Sequence, residues 1–142
     1  MQQASARIVG RAIVVVVVGL LAWTASRRPA GAPPATGFEH ALAERLSGVV
    51  ITTEGRVKKL LPDDTRGSRH QRILLDMGER RTLLVVHNID LAPRVPARAG
   101  DWLRVRGEYE WNDLGGLVHW THHDPDGRRP GGWIEHEGRT YR

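Results

Sequence analysis

Trp102 to Trp111 reads WLRVRGEYEW, and Asn112 to His123 continues NDLGGLVHWTHH. In the first stretch Leu103, Val105, Gly107, Tyr109 and Trp111 alternate with Arg104, Arg106, Glu108 and Glu110. That period of two sets one face of a strand on a core and the other in water. Asn112 to Gly116 supplies the asparagine and glycines of a hairpin turn. Leu117 to His123 is therefore expected to return as a second strand, and the domain is expected to be antiparallel and mainly β.

Upstream, Val49, Ile51, Thr53, Val57 and Leu61 fall on one side of a long, bent strand broken at Gly55. Pro62 to Arg69 is rich in turn formers, and Ile73, Leu75 and Met77 mark one face of a second strand. After Gly78-Glu79-Arg80, the run Leu83 to Val86 is continuously apolar, which predicts a third strand covered on both faces. Asn88 to Gly100 holds two prolines and no steady period, so it reads as a long connection with room for one helical turn. A loop, DPDGRRPGG, and a short segment at Trp133-Ile134 follow the fifth strand. Five strands in this arrangement predict a small OB-like Greek-key barrel, with an SH3-like barrel or small open sandwich as alternatives of similar spacing.

Ahead of the barrel, Phe38 to Leu46 places Phe38, Ala41, Leu42 and Leu46 at helical spacing, so residues 38–142 form one β-barrel domain with one short N-terminal helix. His40 is read as exposed. Residues 27–37, RRPAGAPPATG, form a linker. Before it, Ala12 to Ala25 reads AIVVVVVGLLAWTA behind Arg7 and Arg11, so residues 1–26 are expected to be a hydrophobic helix serving as signal peptide or uncleaved membrane anchor. The domain is accordingly expected in the cell envelope, outside the cytoplasmic membrane, with the membrane as a partner through this segment.

The net charge of +5 comes from 21 basic and 16 acidic residues. Arg7, Arg11, Arg27 and Arg28 flank the apolar run; without these four, 17 basic residues face 16 acidic ones. A nearly neutral domain disfavours non-specific nucleic-acid binding. Cysteine is absent, which excludes disulfides and thiolate metal sites. No G-x-S-x-G elbow, phosphate loop or dinucleotide fingerprint occurs.

Chemistry concentrates at His119, Trp120, Thr121, His122, His123 and Asp124. Strand alternation predicts His119, Thr121 and His123 on one face and Trp120 with His122 on the other. Imidazole is the commonest metal ligand, so His119 and His123 with His87 are the expected set for a divalent metal, with Asp90, His70 or Asp124 as other third ligands. Ordinary hydrogen bonds to neighbouring strands explain the same histidines, and acid–base use is a further reading. His87, Asn88 and Asp90 orient a ligand or build a turn ahead of Pro93, and His70-Gln71 opens a strand facing a binding surface or caps it. Asp63-Asp64-Thr65 reads as a solvated turn or a cation loop. Trp111, Trp120 and Trp133 stack on a sugar or base, or fill core; Trp102 packs on the connection.

Several of these segments together resemble a bacterial family of exported proteins catalogued as domain of unknown function 3465: LPDDTRGSRHQ from Leu61, HNIDLAPRV from His87, GEYEWN from Gly107, GGLVHWTHHDP from Gly115, and Gly132-Trp133-Ile134. The resemblance covers Gly48 to Tyr141 and implies export and a small β-domain, with no activity attached. Relatives resemble a pattern with a histidine just before the Gly-Trp segment, where this chain has Arg128-Arg129-Pro130; the resemblance implies that a family ligand is missing here if that histidine belongs to the site. Three functional expectations follow. The first is an exported module binding a metal, oligosaccharide or oligonucleotide on a His/Trp face. The second is a metal-assisted hydrolase, and the third a structural or partner-binding envelope protein.

Overall fold

The computed structural model describes residues 37–142. The Ala12–Ala25 stretch, its reading as signal or anchor, and linker residues 27–36 lie outside them. Among the described residues no helix is long and apolar enough to cross a membrane.

A short helix, α1 (Phe38–Ala43), precedes β1 (Val49–Asp64), β2 (His70–Asp76), β3 (Thr82–Asn88), β4 (Trp102–Glu110), β5 (Leu117–His119), β6 (Trp133–His136) and β7 (Arg139–Tyr141). The pairing runs β1-β2-β3-β5-β4 and closes from β4 back to β1. β3 and β5 are parallel, and the other pairs of the ring are antiparallel. This is the OB-like five-stranded barrel, not an open sandwich. β6 and β7 extend the sheet beyond β4 as a hairpin; the sequence indicated only a short segment at Trp133-Ile134.

Closure depends on β1, whose 16 residues serve two partners. Val49–Arg56 pairs with β4, and Arg56–Asp64 pairs with β2. Gly55 does not break the strand as expected, but stands beside Arg56, the residue that faces both partners. Register shifts between Val57 and Lys59 and between Leu61 and Asp64 add the twist that lets one strand curl around the barrel.

Inward positions follow the alternation read from the sequence in β2 and β4, where Ile73, Leu75, Leu103, Val105 and Tyr109 are buried; in β3, read as apolar on both faces, only Leu83 and Val85 point inward. Each such aliphatic side chain stabilises the fold by about 1.5–3 kcal/mol. α1 closes the end near the start of β3, setting Phe38 edge-on to Tyr109 at 6.0 Å and pairing Glu39 with Arg81. The connection after β3 closes the other end with Val95 and Ala97. It begins with a single helical turn, Ala92 N–H to Asn88 C=O at 3.1 Å. β3 is covered on one face only: Leu84 and Val86 stay half-buried on its outside.

The largest departure is at β5. It was expected to run to His123 and ends at His119, because Trp120 adopts φ +51°, a left-handed conformation that ends strand alternation. The chain then makes an excursion from Trp120 to Gly132 and rejoins β4 at Trp133, which pairs with Arg106. The return is tight: a Cβ on Gly132 would lie 1.9 Å from the Trp120 carbonyl oxygen, and one on Gly107 2.2 Å from that of His119. Only glycine admits such approaches.

Candidate functional site

The outer barrel face across β2, β3, β5 and β4 brings several of the expected residues together. His70 lies opposite Asn88, and His119 lies opposite Glu108. Trp120 and His122 complete the wall by folding back after the left-handed turn. A pocket of about 190 Å³ is lined by His70, Val86, Asn88, Leu91, His119, Trp120 and His122. Val86 explains the apolar residue on the outside of β3: it forms part of this lining.

Two of the three imidazoles are oriented by backbone oxygens. His70 Nδ1 donates to the Ser68 carbonyl at 2.8 Å, and His122 Nδ1 donates to the His123 carbonyl at 2.6 Å. A carbonyl only accepts, so Nδ1 carries a hydrogen, and in the neutral form of each ring the lone pair is on Nε2. The His122 ring is buried and packs 5.1 Å from the Trp120 indole. Arg129 also lies over the Trp120 ring, its guanidinium 4.6 Å from the ring centre, and donates to Glu108 Oε2 at 3.0 Å.

His119 differs from both. Its Nε2 is buried without a hydrogen-bond partner, 3.8 Å from Glu108 Oε1 and 3.7 Å from Glu110 Oε1. Glu108, Glu110 and His119 form the only group among the described residues whose imidazole and carboxylate atoms are placed to share an ion, all within 4.8 Å of one another.

The expected trio of His119, His123 and His87 is not gathered. His87 points into the barrel and is fully buried. Its Nε2 donates to the Pro93 carbonyl at 3.1 Å, so its Nδ1 accepts from the Thr121 hydroxyl at 2.8 Å. Burial pushes the His87 pKa below its ordinary value, and this neutral ring has no lone pair left for a metal. His123 is exposed on the excursion, and the predicted common face of His119, Thr121 and His123 ends where β5 ends.

The other expected residues are engaged in building the scaffold. Gln71 is buried and grips Val95 twice, donating to its carbonyl at 2.8 Å and accepting from its amide at 3.0 Å. Asn88, which also lines the pocket, accepts the Asp90 amide on its Oδ1 at 2.9 Å. Asp90 accepts the Arg69 amide and Nε, both at 2.8 Å, and these contacts hold its carboxyl below the usual range. Asp124 organises the excursion by accepting the amides of Asp126, Arg128 and Arg129. Burial pushes its carboxyl up, but the amides of Asp126, Arg129 and Arg128 and the charge of Arg129 together bring it below the ordinary value. Asp63 pairs with Arg94 and Asp64 with Arg66, so the carboxylates of that turn are engaged with guanidinium groups. Trp111 and Trp133 lie under Arg45 at 5.0 Å and Arg104 at 5.3 Å, outside the pocket lining.

Sequence reading missed Glu108 and Glu110 as site residues because they occupy the solvent side of an alternating strand, where charge is ordinary. The signal was the hairpin register that sets Glu108 against His119. It also missed buried His136, which bonds Asp101 at 2.9 Å.

No curated protein matches the chain. The family described as protein of unknown function (DUF3465) matches residues 16–142, and the chain belongs to that family.

Proposed function

We propose that this protein is an exported ligand-binding module, held at or released from the cell envelope, whose OB-like barrel receives a small polar ligand on its outer β2–β3–β5 face. The observation that carries the reading is the convergence of His70, His119 and His122 with Trp120 on one pocket. OB-type barrels use the equivalent face for ligands, and this analogy supports the position without naming the ligand. Imidazole nitrogens and the Asn88 amide supply polar contacts, while Trp120, Val86 and Leu91 supply apolar surface.

The pocket, about 190 Å³, is smaller than the roughly 300–1,000 Å³ of drug-sized ligand sites. Its size suits a cation with its shell or a single ring, with any longer oligomer running across the open face. Export is supported by Arg7, Arg11 and the uncharged stretch Ala12–Ala25. The nearly neutral remainder of the chain argues against non-specific nucleic-acid binding.

Histidine-selective NMR on purified full-length protein tests the reading. Zn²⁺, a set of oligosaccharides and short oligonucleotides are titrated in turn. At least one class is expected to shift the signals of His70 and His122 together, with binding weakened in His70→Ala and His122→Ala. If every class leaves both rings unmoved, the pocket reading fails.

A further inference from the structure

The geometry points to a divalent-cation site on the β4–β5 hairpin, formed by Glu108, Glu110 and His119, for a first-row ion of the Zn²⁺ type. The site goes beyond the proposed pocket, which it adjoins at His119 without drawing on His70 or His122.

Three observations support it. First, the spacing is wrong for hydrogen bonds and right for shared coordination. His119 Nε2 stands 3.8 Å from Glu108 Oε1 and 3.7 Å from Glu110 Oε1, beyond the roughly 2.7–3.2 Å of an N–H···O bond. Donors each about 2.1 Å from a tetrahedral zinc lie about 3.4 Å apart, and about 3.7–3.8 Å apart when the angle opens to about 125–130°. Second, Nε2 is buried with no hydrogen-bond partner. A buried polar nitrogen left unpaired is unfavourable, and a cation removes that penalty by taking the lone pair. Third, one of the two carboxylates, that of Glu108, is aimed. Arg129 holds Glu108 Oε2 at 3.0 Å and leaves Oε1 toward His119, as outer hydrogen bonds orient metal-ligating carboxylates. The Asp124 turn fixes Arg129 in its own place through the Arg129 amide at 2.7 Å.

The donor set is one imidazole and two carboxylates, without a thiolate. One nitrogen favours Zn²⁺-like ions over Mg²⁺, whose preferred ligands are oxygens. Three protein ligands leave a further position on a four-coordinate ion.

The test is calorimetric titration of the full-length protein with Zn²⁺, and with Mg²⁺ as the oxygen-seeking control, on wild type, Glu108→Gln/Glu110→Gln, His119→Ala, and His70→Ala/His122→Ala. Glu110→Gln alone serves as the milder variant, and circular dichroism checks that each folds. One equivalent of Zn²⁺ is expected in wild type, with affinity at least tenfold weaker in Glu110→Gln, lost in the double glutamine and His119→Ala variants, and retained in His70→Ala/His122→Ala. Three results overturn the inference: no Zn²⁺ uptake by wild type, as when His119 merely ion-pairs with the two carboxylates; Mg²⁺ binding as tightly as Zn²⁺; or binding that survives the glutamine substitutions but vanishes in His70→Ala/His122→Ala. The last leaves the pocket reading standing and removes only this site.

Discussion

His87 on β3 and His119 on β5 belong to neighbouring parallel strands of one small barrel, yet they face opposite media and carry opposite chemistry. His87 points inward, has both ring nitrogens bonded, to Thr121 and Pro93, and is kept neutral by burial. His119 points outward, and its Nε2 faces two carboxylates at distances that make no hydrogen bond. A count of histidines in a sequence therefore says little about their use. What separates a structural imidazole from a ligand-ready one is whether its lone pair already has a donor.

The hardest way to break the comparison is to stop the excursion from returning to β4, since that return places Thr121 inside and His122 outside. Gly132→Ala would press a Cβ against the Trp120 and Arg106 carbonyls at 1.9 and 2.5 Å. The expected loss is about 3 kcal/mol, in the overpacking range or above it, read as a lower urea midpoint. Next comes the inner network. Thr121→Val keeps the shape of a fully buried side chain but leaves His87 Nδ1 without its donor, so stability is expected to fall by about 1–3 kcal/mol in the same assay.

A smaller effect sharpens the protonation half of the comparison. Burial depresses the His87 pKa, so between that value and about 6.5 the unfolded chain binds more protons than the folded one. Stability from His87 is therefore complete above about pH 6.5 and lost as the pH falls through the window below it. Asp63, Asp90, Asp101 and Asp124 are also depressed, from 3.8, and their contributions fade only below that value. Urea unfolding from pH 7 to pH 5 is expected to show a decline in wild type that is shallower in His87→Gln. The least costly change is on the outer face: His70→Ala removes one bond to Ser68 and is expected to cost under about 1 kcal/mol while weakening ligand binding.

The strands of the barrel were legible because inward positions alternate with charged ones, most clearly from Leu103 to Tyr109, and because the glycines after Asn112 mark the hairpin. The early end of β5 was not, because a left-handed tryptophan has no local sequence signature, and the residue its carbonyl closely approaches, Gly132, lies far along the chain. The site was legible in part. His70, Asn88, His119, Trp120 and His122 meet, while Gln71, His87, Asp90, Thr121 and Asp124 hold the scaffold, a distinction set by long-range partners such as Val95 and Pro93. Glu108 and Glu110 were hidden because carboxylates on the outer face of an alternating strand are common, and only the register that sets Glu108 opposite His119, with Glu110 two residues on, makes them a pair of interest.

The most direct measurement is the side-chain ¹⁵N spectrum of the histidines in full-length protein as Zn²⁺ is added at neutral pH. His119 Nε2 is expected to take on a metal-bound shift at one equivalent while His87 keeps the signature of a neutral ring protonated at Nε2. A spectrum in which His87 moves and His119 does not would contradict this expectation.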